Sequence, residues 1–271
     1  MNLLQETKQL CDLYHIKPAR SKGQNFLINE EVYDKVVESA NLNKNDVVLE
    51  VGPGLGFLTA KLAQNVKKVI AVELDDKLAS ALQTGLDSRG VKNVEVKNEN
   101  ILDINSKFKI QNYKIVANLP YNITSVFLRK VFESEQKLSL MVLMLQKEVA
   151  ERIVAKLGKM SMLAVSVQFY SEGEIIQYVP KEDFWPQPEV DSAIIKLKIK
   201  NEKLKVNEKD FFRLVKFGFS SKRKMLKNNL SGGYHISQTE AEEKIKKAGF
   251  NPKIRAQELS VIDWIKLLGE F

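Results

Sequence analysis

Asn118-Leu119-Pro120-Tyr121 is the stretch of this chain with the most specific chemistry. It lies within KIVANLPYNITS, directly after a short run of buried-strand character. An amide, a proline and an aromatic are a poor way to continue a sheet. They are a good way to hold a flat amine. The Asn118 side-chain oxygen and the Leu119 backbone carbonyl are two neighbouring hydrogen-bond acceptors. Together they can take both N–H bonds of one exocyclic amine, favouring a pyramidal nitrogen whose lone pair is aimed at an electrophile. Pro120 fixes the turn and brings no competing N–H. Tyr121 offers a ring on which a base taken out of its helix can stack.

A second set stands upstream. Glu50-Val51-Gly52-Pro53-Gly54-Leu55-Gly56 ends one apolar run, and its glycines would let the backbone approach a ligand closely. With Glu50 two residues before the first glycine and Pro53 between glycines, the loop resembles the S-adenosylmethionine loop of class I methyltransferases. In that comparison the acid helps to hold the amino-acid end of the cofactor. Glu73 closes the next apolar run, where a carboxylate can accept both ribose hydroxyls. Dinucleotide sites share that feature, so an oxidoreductase is a distant rival. In NENILDI, Asn100 stands where an adenine edge would lie and where related methyltransferases usually carry Asp. Its amide oxygen can accept without a charge, and Asp103 is an alternative. Asn118-Leu119-Pro120-Tyr121 itself resembles the Asp/Asn/Ser-Pro-Pro-aromatic motif of amino-methyltransferases.

These residues need a scaffold that brings strand ends together. DVVLEVG, KVIAVEL, VEVKN, YKIVAN and LSLMVLML read as strands. EEVYDKVVESA, LTAKLAQ, KLASALQTGL and SVFLRKVFES read as helices between them. QKEVAERIVAKL and SMLAVSVQFY add helices, and EIIQYV and SAIIKLKI add two last strands. The alternation predicts an α/β, Rossmann-like fold with a mostly parallel sheet and helices on both faces. Residues 1–21 are expected to be a flexible tail and 1–200 the catalytic domain. After the polar run NEKLKVNEKD, residues 201–271 read as a small, basic, all-helical domain, with Ser237 and Glu240 spaced as a capping box.

Net charge is +8, and residues 201–271 carry 15 Lys and Arg against 9 Asp and Glu, so most of the excess is C-terminal. That points to a polyanion, nucleic acid first. Lys222, Arg223, Lys224 and Lys227 in SKRKMLKNNL, read as helical, are the expected RNA contacts. Cys11 is the single cysteine and there are two histidines, so no metal site is expected. No run is long and apolar enough for a membrane span, and the N-terminus lacks the pattern of a secretory signal, so a cytoplasmic protein is expected.

Taken jointly, KGQNFLIN (22–29), EVGPGLGFLT, VELD, NLPYNITS, LQKEVAERIVA and FWPQPEVDSA resemble the rRNA adenine N6,N6-dimethyltransferase family, in order, from about Lys22 to the C-terminus. The resemblance implies S-adenosyl-L-methionine as cofactor. It assigns Gln24, Asn25 and Leu27 to close over that cofactor, with Glu50, Gly52, Gly54, Glu73, Leu74, Asn100, Ile101 and Asn118 completing the pocket. It places Phe184, beside Trp185-Pro186-Gln187-Pro188, on the far face of a base stacked on Tyr121. FSSKRKMLKNNL and IRAQELSV are similar to the branch that acts on small-subunit rRNA. That branch implies dimethylation of two adjacent adenines near the 3′ end of that RNA, on an immature subunit; a monomer is expected. The rival readings are a large-subunit methylase of the macrolide-resistance type and a ribosome-assembly factor that binds RNA without needing catalysis.

Overall fold

The computed structural model describes residues 2–19, 23–103, 112–134, 137–200 and 204–271. Packing divides the chain into two compact units, 1–150 with 173–199, and 151–172 with 200–271. The sequence reading placed one boundary after Lys200. The helix within 151–172 instead groups with the C-terminal helices, because its apolar face joins their core.

The first unit is built on a seven-stranded sheet. Its central strands are β2 (Val47–Val51), β3 (Lys68–Glu73), β4 (Val94–Asn98), β5 (Tyr113–Asn118) and β6 (Leu138–Gln146). The order is β4-β3-β2-β5-β6, all parallel, continued by β9 (Ser192–Ile199), antiparallel to β6, and then β7 (Ser171–Val179). The β-branched runs become buried strands because helices cover both faces. Those helices include α2 (Glu30–Ser39), α3 (Phe57–Ala63), α4 (Asp76–Ser88) and α5 (Thr124–Phe132). Val48, Val69, Val116 and Val142 are fully or almost fully enclosed in the core. β2 lies between β3 and β5, so the chain reverses its direction of winding there. Open α/β sheets bind ligands outside the strand ends at that switch point.

Residues 2–19 differ from the expected tail. α1 (Leu3–Leu13) starts with a reciprocal capping box between Asn2 and Gln5. It buries Cys11 in a small cluster with Ile16, Phe26, Leu78 and Ala81. Those apolar contacts outweigh the ordering cost that a polar tail could not meet. A two-stranded ribbon that periodicity does not reveal pairs β1 (Phe26–Leu27) with β8 (Phe184–Trp185).

The second unit contains α7 (Met162–Tyr170), α8 (Glu208–Gly218), α9 (Leu226–Tyr234), α10 (Gln238–Lys247) and α11 (Val261–Leu268), preceded in the chain by α6 (Lys147–Ile153). Phe169, Phe211, Leu214, Leu230, Ile245 and Trp264 form its core. Ser237 caps α10 through the Glu240 N–H, half of the expected box. Lys222, Arg223 and Lys224 lie on a turn between α8 and α9, not on a helix as the spacing had suggested. Among the described residues, no helix is long and apolar enough to cross a membrane, and no group of His, Cys, Asp or Glu is arranged to hold a metal.

Candidate active site

Outside the ends of β2, β3 and β5 opens a cleft of about 290 Å³. Its floor is the glycine loop. Gly52 and Gly54 have φ of +64° and +58°, conformations that L side chains rarely adopt. A Cβ on Gly54 would fall 3.2 Å from the Phe26 ring, and one on Gly52 would lie 3.5 Å from Pro120 Cδ. Gly52 of the loop therefore faces Pro120 of the Asn118-Leu119-Pro120-Tyr121 turn, while Gly54 lies tightly against Phe26.

Two buried carboxylates enter the cleft. Glu50, at 1% exposure, comes from β2. Among the described residues, its Oε2 has no hydrogen-bond partner. Burial pushes its carboxyl up to about 8, opposed only in part by the neighbouring Thr59 hydroxyl, and the Glu73 carboxylate adds to the rise. Tyr33, which donates to the Leu27 carbonyl at 3.1 Å, is also pushed upward, first by burial and then by Glu50. Glu73 ends β3 and accepts from the Gly54 N–H at 3.1 Å and the Asp75 N–H at 3.0 Å. Burial raises its carboxyl, and those two N–H groups offset part of the rise. Each oxygen keeps a second acceptor site for a ribose hydroxyl.

Among the described residues, the cleft is lined by Glu50, Glu73, Asp75 and Glu99, and by no Lys, Arg or His. A pyrophosphate would meet the buried Glu50 and Glu73 carboxylates at close range, which disfavours the dinucleotide reading. A cationic ligand would relieve them. The unpartnered Glu50 oxygen and the glycine cradle thus fit the ammonium and sulfonium charges of S-adenosylmethionine.

The other expected cofactor residues converge here as well. Gln24 accepts from the Ala19 N–H at 2.8 Å and donates to Asp75 at 3.4 Å. Asn25 and Leu27 line the wall, as do Leu74, which is 67% exposed, and Ile101, which is buried. Asn100 also lines it, but its Oδ1 accepts from the Leu102 N–H at 2.9 Å, closing the turn after β4. Asp103 is not on the wall, and Lys22, the first residue of the KGQNFLIN signature, lies outside the described residues.

On the substrate side, Asn118 ends β5 and donates through Nδ2 to the Asn25 carbonyl at 3.4 Å. That bond sets the amide orientation and leaves Oδ1 as the acceptor. The Leu119 N–H donates to the Met144 carbonyl at 3.2 Å, which anchors the peptide whose neighbour carries the second acceptor. Tyr121 and Ser192 share a hydroxyl hydrogen bond of 2.6 Å. Burial pushes the Tyr121 hydroxyl up, and Ser192 moderates the shift.

Two expected site residues have surroundings that the sequence did not show. Phe184 is 3% exposed and packs in the core with Leu27, Tyr33, Met144 and Ile194. Pairing of Phe184 with Leu27 in the ribbon directs this position into the core, and it is not among the cleft-lining residues. Lys227 is not a free cation: it pairs with Glu242 at 2.6 Å, while Lys222, Arg223 and Lys224 remain exposed. Sequence reasoning also missed Asp75, Ser192 and Gly23. Asp75 carried a readable signal, since it is the N-cap of α4, bonded to the N–H groups of Lys77 and Leu78. Ser192 and Gly23 matter through contacts distant in sequence, which spacing does not reveal.

The family model described as ribosomal RNA adenine dimethylase matches residues 17–271. A ribosomal RNA small subunit methyltransferase A from Dehalococcoides mccartyi is 42% identical, covering 100% of this chain and 94% of that protein. Its namesake from Staphylococcus aureus is 35% identical over 97% of this chain and 93% of its own length. Among solved structures, a dimethyladenosine transferase from Plasmodium falciparum aligns with a TM-score of 0.80 at 27% identity, covering 91% of this chain and 97% of that one. The 23S rRNA methyltransferase ErmE aligns at 0.74, also at 27% identity, covering 91% and 99%.

Proposed function

The chain belongs to the ribosomal RNA adenine dimethylase family, and from that premise we propose how its residues divide the work. The enzyme is an S-adenosylmethionine-dependent rRNA adenine dimethyltransferase. The cofactor supplies a methyl group activated on a sulfonium. Glu50 and Glu73 balance and orient its ammonium and ribose ends, and Gln24, Asn25, Leu27, Leu74, Asn100 and Ile101 enclose it.

Asn118 Oδ1 and the Leu119 carbonyl accept the two N–H bonds of the adenine amine. This holds the nitrogen lone pair along the line of transfer and disfavours its delocalisation into the ring. Pro120, over Gly52, keeps that turn rigid. Tyr121 stacks on the extruded base. No strong general base is needed, because the alkylated nitrogen is acidic and sheds its proton readily.

The substrate reading is two adjacent adenines near the 3′ end of small-subunit rRNA, on an immature subunit. The curated relatives that carry a small-subunit name support it, at identities above that of the large-subunit enzyme ErmE. Lys222, Arg223 and Lys224 hold the RNA backbone. One chain furnishes the whole cleft, which supports action as a monomer. A ribosomal substrate also fits a cytoplasmic enzyme.

The observation that carries this reading is the fixed Asn118 amide beside a cationic-ligand cleft. Mass spectrometry of unmethylated small and large subunits treated with enzyme and cofactor tests it. Two dimethyladenosines in the small-subunit RNA are expected; modification of the large subunit alone would replace the reading with the resistance-type activity.

A further inference from the structure

The helical unit carries a groove of about 400 Å³ that the reaction does not use. Arg152, Lys216 and Lys222 stand around it, all exposed, and no carboxylate among the described residues pairs with any of them. Three other cations of the same unit are paired. Arg213 pairs with Asp210 at 3.0 Å, and Lys227 and Lys246 share Glu242 at 2.6 and 2.8 Å. Three unpaired like charges around one depression cost self-repulsion, which an anionic ligand would remove.

The floor is apolar. Met162, at the start of α7, is 38% exposed, and Phe217 and Phe219 supply rings. These rings are held in place. Phe217 stands edge-on to Tyr234 at 5.0 Å, and its Cγ lies 2.4 Å from where a Cβ on Gly233 would be. Phe219 leans on Trp264 at 5.7 Å. Side chains already fixed lose little freedom when a ligand arrives. A bare phosphate would gain nothing from such a floor, and an apolar peptide would gain nothing from the cations. A nucleotide uses both.

We propose that this groove accepts one unstacked nucleotide of the rRNA substrate, its base on the Met162 and Phe217 floor and its phosphates against Arg152, Lys216 and Lys222. The inference rests on the rRNA reading and deepens it. The enzyme would sense a nucleotide other than the adenines it methylates, and would favour subunits in which that nucleotide is unpaired.

A photo-crosslinking amino acid, p-benzoylphenylalanine, placed at Met162 of the full chain tests the contact with unmethylated small subunits. Crosslinking is expected at one rRNA nucleotide distinct from the methylated adenines. Lys216→Ala and Phe217→Leu are each expected to weaken subunit binding about five- to tenfold, with cofactor affinity unchanged. Should Phe217→Leu lower the melting temperature, Met162→Asp decides. An acid in the first turn suits a helix, so the fold is kept while the groove turns hostile to phosphate. Crosslinks to a ribosomal protein, crosslinks scattered over many nucleotides, or wild-type binding by the floor variants would overturn the proposal. A wild-type enzyme that fails to methylate rRNA would instead reject the reading beneath it.

Discussion

Around the cleft, the decisive charges are carboxylates enclosed by protein. Glu50 and Glu73 are buried, and one Glu50 oxygen has no partner among the described residues. Around the helical groove, the decisive charges are cations left in water, with their apolar complement beneath them. The first arrangement is costly without its ligand, because a buried charge must be neutralised, paired or protonated. It suits a small molecule of defined shape whose own charges fill the gap. The second costs little and is screened by salt, which suits a large polyanion met by diffusion. Catalysis and substrate capture are therefore separable here, and variants can be chosen to damage one and spare the other.

Asn118→Ala is the sharpest such cut. It deletes the acceptor whose orientation the Asn25 carbonyl sets, and with it one of two contacts to the reacting amine. Turnover should fall about 10²–10³-fold or more, the usual loss for a charge-organising polar group. Binding to small subunits, measured by filter retention, should stay near wild type. A parallel loss of binding would show that the two regions are not independent.

Glu50 comes next, and its test is in pH. Its carboxyl is raised from 4.5 to about 8, mainly by burial. A raised folded-state value means that the native state holds the proton more tightly than the unfolded chain. The resulting stability is full below about 4.5 and is lost as pH climbs through about 8. The melting temperature of the cofactor-free protein should thus fall by roughly 5 °C between pH 5 and pH 8 from this group, and Glu50→Gln should flatten that slope. Cofactor binding near neutral pH should release a proton, read as a buffer-dependent heat in calorimetry. Glu50→Gln should abolish that release and weaken binding about tenfold.

The contrast also explains what the sequence made legible. Glycines, a terminal acid and Asn-Leu-Pro-Tyr are local patterns at strand ends, so the cleft and the parallel strands around it could be read before any coordinates. Phe184 could not, because its inward direction depends on pairing with Leu27, more than 150 positions away. The partner of Lys227 could not be read for the same kind of reason. Counting charges cannot tell a cation facing Glu242 from one facing solvent. α1 was missed because its buried face is narrow, Thr7 and Cys11, and Cys11 meets Phe26, Leu78 and Ala81 only in the folded chain. The segment 151–172 was assigned to the wrong unit because helical periodicity reports an apolar face and not what covers it.

The Tyr121–Ser192 bond probes how rigid the cleft must be. Ser192 is fully buried at the start of β9, opposite Gln146 of β6, so it ties the Tyr121 ring to the sheet. Ser192→Ala and Tyr121→Phe should each reduce turnover about three- to tenfold while cofactor affinity holds. Their double variant should lose no more than the worse single one, since both remove the same bond. Additive losses would mean that the hydroxyl contacts substrate directly.

The smallest expected effect separates cations that look alike in the sequence. Lys222 and Lys227 sit five positions apart, but only Lys227 has a carboxylate partner among the described residues. Lys222→Ala should lower the salt dependence of subunit binding by about one unit in the log–log slope, the signature of one lost phosphate contact. Lys227→Met should leave that slope unchanged. It frees Glu242, whose carboxyl Lys227 and Lys246 hold down at about 2. With Lys246 still 2.8 Å away, that carboxyl should titrate closer to the ordinary range, without a measurable change in turnover. A slope that falls equally for both variants would mean that RNA breaks the Lys227–Glu242 pair on binding. The helical unit would then hold its cations in reserve, and the division between enclosed and exposed charge would describe only the free enzyme.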